Sequence, residues 1–211
     1  MTKSVKGSNR YIVKLGLTLF IITAITGVLL AGVNELTKEA RAGRELDAFG
    51  LALQALVPDG ELLEEMSHTA ESFTAHTLER SNGDLAYCIE VAPNGYGGPI
   101  NMIVGIEVAH DGDRIEKRVI GVAIISMTET PGVGTKVNDE AFLSQFNGIV
   151  YPVVNEDGTL NTEPSAIKIS SADNGIDAIS GATVTSKAIV KGVNIALDAI
   201  KVSTTGEVSF E

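Results

Sequence analysis

The sequence predicts an α+β protein in which a single N-terminal transmembrane helix is followed by one extracytoplasmic domain of strands and flanking helices. Three observations predict it: an uncharged apolar run near the N-terminus, several β-branched segments separated by glycine-rich and Asp-Gly turns, and a final stretch with helical apolar spacing.

The first fourteen residues carry Lys3, Lys6, Arg10 and Lys14 and no acid. From Leu15 to Val33 runs LGLTLFIITAITGVLLAGV, nineteen residues without a charge. As a helix this run extends about 28 Å, enough for a hydrocarbon core of about 30 Å. A cleaved signal peptide also has a basic leader, but its apolar core is shorter, roughly 7–15 residues, and the AGVNELTKEAR exit resembles a cleavage site only weakly. A buried helix of a soluble protein fits less well, because the run is apolar on every face. The basic leader predicts a cytoplasmic N-terminus and places the chain from residue 34 onward outside the cytoplasm. Lys38, Arg41 and Arg44 weaken that asymmetry, although Glu35, Glu39 and Glu45 accompany them. Thr23, Gly27 and Ala31 share one face of the span and suit close packing on a partner helix.

Residues 34–57 read as a helix leaving the membrane, with Leu36, Ala40, Leu46, Phe49, Leu53 and Leu56 at three- or four-residue steps broken by one gap, until Pro58-Asp59-Gly60 stops it. Residues 61–80 are polar and acidic, and Glu64-Glu65 reads as a solvated surface rather than an acid/base pair. Strands are expected at LAYCIEVA from Leu85, then at INMIVGIEVA and RIEKRVIGVAIIS, which flank His110-Asp111-Gly112-Asp113 and its hairpin signature. AFLSQFNGI reads as a short helix, YPVVNEDGTLN as strand and turn, and AIKIS as a further strand. In SKAIVKGVNIALDAIK, Ala188, Ile189, Val193, Leu197 and Ile200 fall at helical spacing. The expected organisation is a leader at 1–14, a span at 15–33, a stalk and the start of the outer domain at 34–80, and the main domain at 81–211.

Beyond the leader, 12 basic residues stand against all 27 acids, a formal charge of −15. Such a surface repels phosphate backbones, so the sequence argues against nucleic-acid binding. Cys88, the one cysteine, allows no intramolecular disulfide and reads as a small core residue. His68, His76 and His110 form no metal-ligand spacing.

The most informative stretch is Asp177-Ala-Ile-Ser180-Gly181-Ala182-Thr183-Val-Thr185-Ser186, just before the last helix. It presents hydroxyls and a glycine-supported turn beside a helix N-terminus, where free N–H groups and the positive dipole end favour a phosphate. An ordinary N-cap by Thr185 or Ser186 accounts for the same residues. Residue chemistry leaves both readings open.

Asp177, Ser180, Gly181, Ala182 and Thr183 also match every specified position of D-x-x-[ST]-G-A-T. The stretch resembles the flavinylation signature of FMN-binding domains in the G subunit of Rnf complexes and the C subunit of sodium-pumping NADH:quinone oxidoreductases. The resemblance implies that a flavin transferase, using FAD and magnesium, joins FMN by a phosphoester to Thr183. A threonine hydroxyl is a weak nucleophile unaided, so the need for a transferase is chemically reasonable.

Asn94-Gly95-Tyr96-Gly97-Gly98-Pro99-Ile100 is similar to the family's GY-G turn, and Thr128-Glu129-Thr130-Pro131-Gly132-Val133-Gly134-Thr135-Lys136 to its ETPG-G motif, in the family's order. This adds Tyr96, Gly97, Gly98, Glu129, Thr130, Pro131, Gly132, Gly134, Thr135, Lys136 and Thr185 to the candidate FMN contacts. Glycines 97, 98, 132 and 134 are expected to let backbone N–H groups approach the flavin, with Thr130, Thr135 and Lys136 as hydrogen-bond or charge partners.

The compact chain resembles the Rnf G subunit more than the quinone-reductase C subunit. That resemblance implies an electron-carrying component of an inner-membrane complex that couples ferredoxin oxidation and NAD reduction to sodium or proton export. It implies other membrane subunits as partners and no substrate chemistry of its own. A stand-alone FMN carrier and a cofactor-free assembly protein are the alternatives.

Overall fold

The computed structural model describes residues 5–111, 114–153, 167–169, 175–203 and 206–211. The chain divides into two units, one ending at Leu46 and one starting at Asp47. Helix α1 (Val5–Leu56) begins in the first and ends in the second. Its segment Tyr11–Lys38 is 28 residues long, and is long and apolar enough to cross a membrane. The threonines within it are compatible with lipid. Thr18, Thr23 and Thr26 donate their hydroxyls to the carbonyls of Lys14, Leu19 and Ile22 at 2.8, 3.0 and 2.8 Å, so none needs water. The Thr23–Gly27–Ala31 face therefore offers small size rather than a free donor.

The second unit is built on a six-stranded antiparallel meander: β1 (Gly60–Thr69), β2 (Phe73–Arg80), β3 (Leu85–Val91), β4 (Ile100–Asp111), β5 (Arg114–Met127) and β6 (Val150–Pro152), in that spatial order. The β4–β5 ladder runs from Ile100↔Met127 to Asp111↔Arg114, the hairpin that the Asp-Gly signal predicts; residues 112 and 113 lie outside the described set. The polar, acidic stretch 61–80 holds most of β1 and all of β2, and within it Glu64 and Glu65 are exposed, as expected of a solvated surface. Phe73, Ala75 and Leu78 of β2 are buried, and β2 pairs along its length with β3. Glu64 and Glu65 sit on the edge strand β1, where the register also shifts between Leu63 and His68. Exposed charge and irregular register together discourage pairing with another chain.

Both faces of the sheet are covered. On β3, Tyr87, Ile89 and Val91 enter the larger core, while Ala86 and Cys88 face the end of α1 at Ala52, Leu53 and Leu56. Double coverage explains why the central strands are apolar at successive positions. Cys88 is fully buried, and burial pushes its thiol up to about 12, so it is a core residue as its isolation suggests.

Between β5 and β6 lie a 3-10 turn at Gly134–Asn138, then helix α2 (Glu140–Leu143) and a second 3-10 turn at Ser144–Phe146; the last two fall on the short helix expected in AFLSQFNGI. Of the expected strand in AIKIS, the described residues 167–169 contribute only a parallel bridge between Ile169 and Ile176. Residues 154–161 of the YPVVNEDGTLN stretch lie outside the described set. Helix α3 (Thr183–Ala199) packs its apolar stripe, including Ile189, Val193 and Leu197, on the larger core. A two-stranded ladder, β7 (Ile200–Val202) with β8 (Val208–Phe210), ends the chain.

Candidate functional site

Strands β3, β4 and β5 are consecutive and antiparallel, so the β3–β4 connection and the segment leaving β5 emerge at the same end of the sheet. These are the GY-G turn and the ETPG-G loop. The first is a closed turn in which Gly95 N–H donates to Gly98 O at 2.8 Å and Ile100 N–H to Pro93 O at 2.9 Å. The second folds back on itself, with Thr130 O accepting from the N–H groups of Val133 and Thr135 at 3.2 and 3.3 Å. Thr128 Oγ1 joins the two loops by donating to Gly97 O at 3.1 Å.

The first turn of α3 meets both loops through Glu129. This side chain is only 6% exposed. Its Oε1 accepts the N–H groups of Tyr96 at 2.7 Å and Gly97 at 3.0 Å, and its Oε2 accepts the hydroxyl of Thr185 at 3.1 Å. One carboxylate thus binds three segments that are far apart in sequence. Close packing fixes it, because a Cβ on Gly134 would fall 2.5 Å from Oε2. The Gly97 N–H, expected to face a flavin, is used on Glu129 instead.

The helix starts earlier than its apolar pattern suggests. Thr183 is its first residue and Ala182 its N-cap, and no side chain caps it. Thr185 and Ser186, the two expected caps, lie inside the helix at 1% and 0% exposure. Ser186 Oγ accepts from Ile179 N–H at 3.1 Å and donates to Ala182 O at 3.0 Å, which braces the turn before the helix. Gly181 makes that turn with φ +79°, a conformation open to glycine and costly for other residues. The ordinary N-cap reading therefore fails. Ser186 N–H bonds Ala182 O, whereas the N–H groups of Thr183, Val184 and Thr185 have no backbone partner and the exposed Thr183 hydroxyl makes no hydrogen bond among the described residues.

These elements enclose a cleft of about 410 Å3 lined by Tyr96 from the first loop, Glu129, Thr130, Val133 and Gly134 from the second, and Gly181 to Thr185 from the third segment. Eight sequence candidates line it: Tyr96, Glu129, Thr130, Gly134, Gly181, Ala182, Thr183 and Thr185. Gly97, Gly98, Pro131, Gly132, Thr135, Lys136, Asp177 and Ser180 do not. Thr135 Oγ1 accepts from Gly132 N–H at 2.9 Å, Lys136 is exposed, and the Asp177 backbone N–H donates to Gln145 Oε1 at 2.8 Å. Val133 and Val184 line the cleft although neither is a sequence candidate; Val133 occupies the unspecified position of ETPG-G, Val184 directly follows the last motif residue Thr183, and both leave apolar surface exposed.

The donor set fits a phosphorylated flavin. Open amides and the positive helix end suit a phosphate, the Thr183 hydroxyl offers an attachment point, and Tyr96, Val133 and Val184 provide apolar surface for a ring.

The family model described as FMN-binding domain matches residues 95–198, which span all three motifs. The chain is 28% identical over 189 residues to the G subunit of the proton-translocating ferredoxin:NAD(+) oxidoreductase complex of Clostridium ljungdahlii, covering 90% of this chain and 91% of that one. It is 30% identical over 204 residues to the G subunit of the ion-translocating oxidoreductase complex of Shewanella piezotolerans, covering 89% of each. Among solved structures, the C subunit of the Na(+)-translocating NADH-quinone reductase of Parabacteroides distasonis aligns over 59% of each chain with 19% identity and a TM-score of 0.43.

Proposed function

Because the chain belongs to the family of G subunits of ion-translocating oxidoreductase complexes, we propose that it is a membrane-anchored electron carrier holding FMN as a phosphoester on Thr183. The observation that carries this reading is the convergence of all three motifs on one cleft at the open N-terminus of α3. FMN, when bound, supplies reversible one- and two-electron chemistry. The chain's own part is to present the Thr183 hydroxyl to the cleft, to offer the first-turn amides to a phosphate, and to shield the site with Tyr96, Val133 and Val184. Glu129, the one carboxylate on the cleft wall among the described residues, already accepts three hydrogen bonds and is poorly placed to serve as the base for Thr183. Activation of the hydroxyl therefore falls to a separate flavin transferase.

In this reading the basic leader is cytoplasmic, α1 spans the inner membrane, and the sheet domain stands outside, where a covalent tether keeps the cofactor from being lost. Its partners are the other membrane subunits of a complex that passes electrons between ferredoxin and NAD. The test is to express the chain with a flavin transferase, denature it, and map FMN phosphoryl adducts by peptide mass spectrometry. An adduct on the peptide containing Thr183, absent from Thr183→Val, supports the proposal. An unmodified chain beside a transferase that labels a known substrate refutes it.

A further inference from the structure

A buried carboxylate is usually matched by a cation. Among the described residues, Glu129 has no lysine or arginine within ion-pair distance, and its three partners are neutral donors: two backbone N–H groups and one hydroxyl. Gly95 and Gly134 lie so close to its two oxygens that neither glycine has room for a Cβ, and the three hydrogen bonds hold the side chain in that space. A carboxylate has about four acceptor positions, and three are filled, so little capacity remains for direct ligand contact. The result is a fixed carboxylate, tied to structure yet lining the cleft.

We propose that Glu129 is a positioning residue that clasps the 94–99 turn to the first turn of α3, and that its unneutralised charge in the cleft wall lowers the reduction potential of a flavin bound there. The clasp stands on the hydrogen bonds alone. The effect on potential rests on the FMN reading: reduction adds negative charge to the flavin, and a nearby fixed anion in a partly desolvated site opposes that addition.

The test uses the full-length chain in detergent, both without cofactor and after co-expression with a flavin transferase, as wild type, Glu129→Gln and Glu129→Ala. Glutamine keeps a carbonyl oxygen for the Tyr96 and Gly97 amides and turns its NH2 toward the Thr185 oxygen, so it preserves the clasp while removing the charge. In the cofactor-free chain, amide exchange at Tyr96 and Gly97 is expected to stay slow in wild type and Glu129→Gln, and to accelerate at least about tenfold in Glu129→Ala. In the flavin-loaded chains, spectroelectrochemical titration of Glu129→Gln is expected to show a midpoint shifted upward from wild type. Fast exchange in wild type overturns the clasp. An unchanged midpoint in a loaded, well-protected Glu129→Gln chain overturns the charge effect. If mass spectrometry finds no FMN on wild type, the effect on potential falls with the FMN reading, while amide exchange still decides the clasp.

Discussion

The two ends of α3 are treated in opposite ways. At the C-terminal end, Lys117 reaches from β5 with its Nζ 2.7 Å from the carbonyl oxygen of Leu197, a buried donor closing a buried acceptor, and lies 5.4 Å from the ring centre of Tyr151. At the N-terminal end, among the described residues, no side chain caps the helix and the amides of Thr183, Val184 and Thr185 have no backbone partner. Every helix has orphan groups at both ends, and its dipole favours a cation at one and an anion at the other. This chain supplies its own cation at the C-terminus and leaves the N-terminus facing a cleft. The contrast between a closed C-terminus and an open N-terminus is what the proposed phosphate site at Thr183 rests on.

The largest effect is expected at Thr183. Thr183→Val should abolish the flavin adduct completely while changing stability by less than about 0.5 kcal/mol, because the hydroxyl is exposed and makes no hydrogen bond among the described residues. Thr183→Ser should retain the adduct. Mass spectrometry paired with thermal melts separates the two effects. A clear drop in the melting temperature of Thr183→Val would show that the hydroxyl has a structural partner and that the end is not open.

Lys117 tests the closed end. Lys117→Met keeps the apolar stem but leaves the Leu197 carbonyl without its donor, which should cost about 2 kcal/mol in chemical denaturation. The loss should depend on pH. Burial, reinforced by Lys201 and opposed by Asp198, holds the Lys117 ammonium down to about 8 from an ordinary 10.5. Between those values the unfolded chain binds more protons than the folded one, so this contribution to stability is present above 10.5 and is lost as pH falls to about 8. The gap between wild type and Lys117→Met should therefore widen from pH 8 toward 10.5. Tyr151, pushed up to about 12 by burial and by Asp198, acts in the opposite sense above pH 10 in both chains and cancels between them. A gap that stays constant with pH would mean that Lys117 is not held by burial.

How much of this is legible in the sequence follows from where the determining contacts lie. The apolar span, the β4–β5 hairpin and the stripe of α3 are local patterns, and each appears where its periodicity places it. Strand β2 is not local in that sense: Phe73, Ala75 and Thr77 alternate, but with too little apolar weight to stand out among His76, Glu79 and Arg80, and pairing with β3 makes it a strand. The start of α3 escapes a local reading for a similar reason. Thr185 looks like a cap because nothing nearby shows that its hydroxyl is taken by a residue 56 positions upstream. The three motifs are visible as motifs, and their order carries the family resemblance. That they close one cleft, that Glu129 ties them together, and that Lys136 and Asp177 stay outside it are tertiary facts, set by the antiparallel order of β3, β4 and β5.

The smallest effect belongs to Thr185, and it sets the contrast within a single helical turn. Thr183 and Thr185 differ by two positions, hence by more than half a turn of helix, and so face different surroundings. One is exposed to the cleft; the other is buried against Glu129. Thr185→Val preserves shape while removing one of three donors to a buried carboxylate, so it should cost about 1 kcal/mol, the net worth of one hydrogen bond, with the Tyr96 and Gly97 amides still holding Oε1. The adduct on Thr183 should still form. Thr183→Val thus loses the adduct and keeps stability, and Thr185→Val does the reverse. If Thr185→Val instead lost the adduct without losing stability, the attachment point would have to be reassigned, and the open end of α3 would need a different ligand geometry.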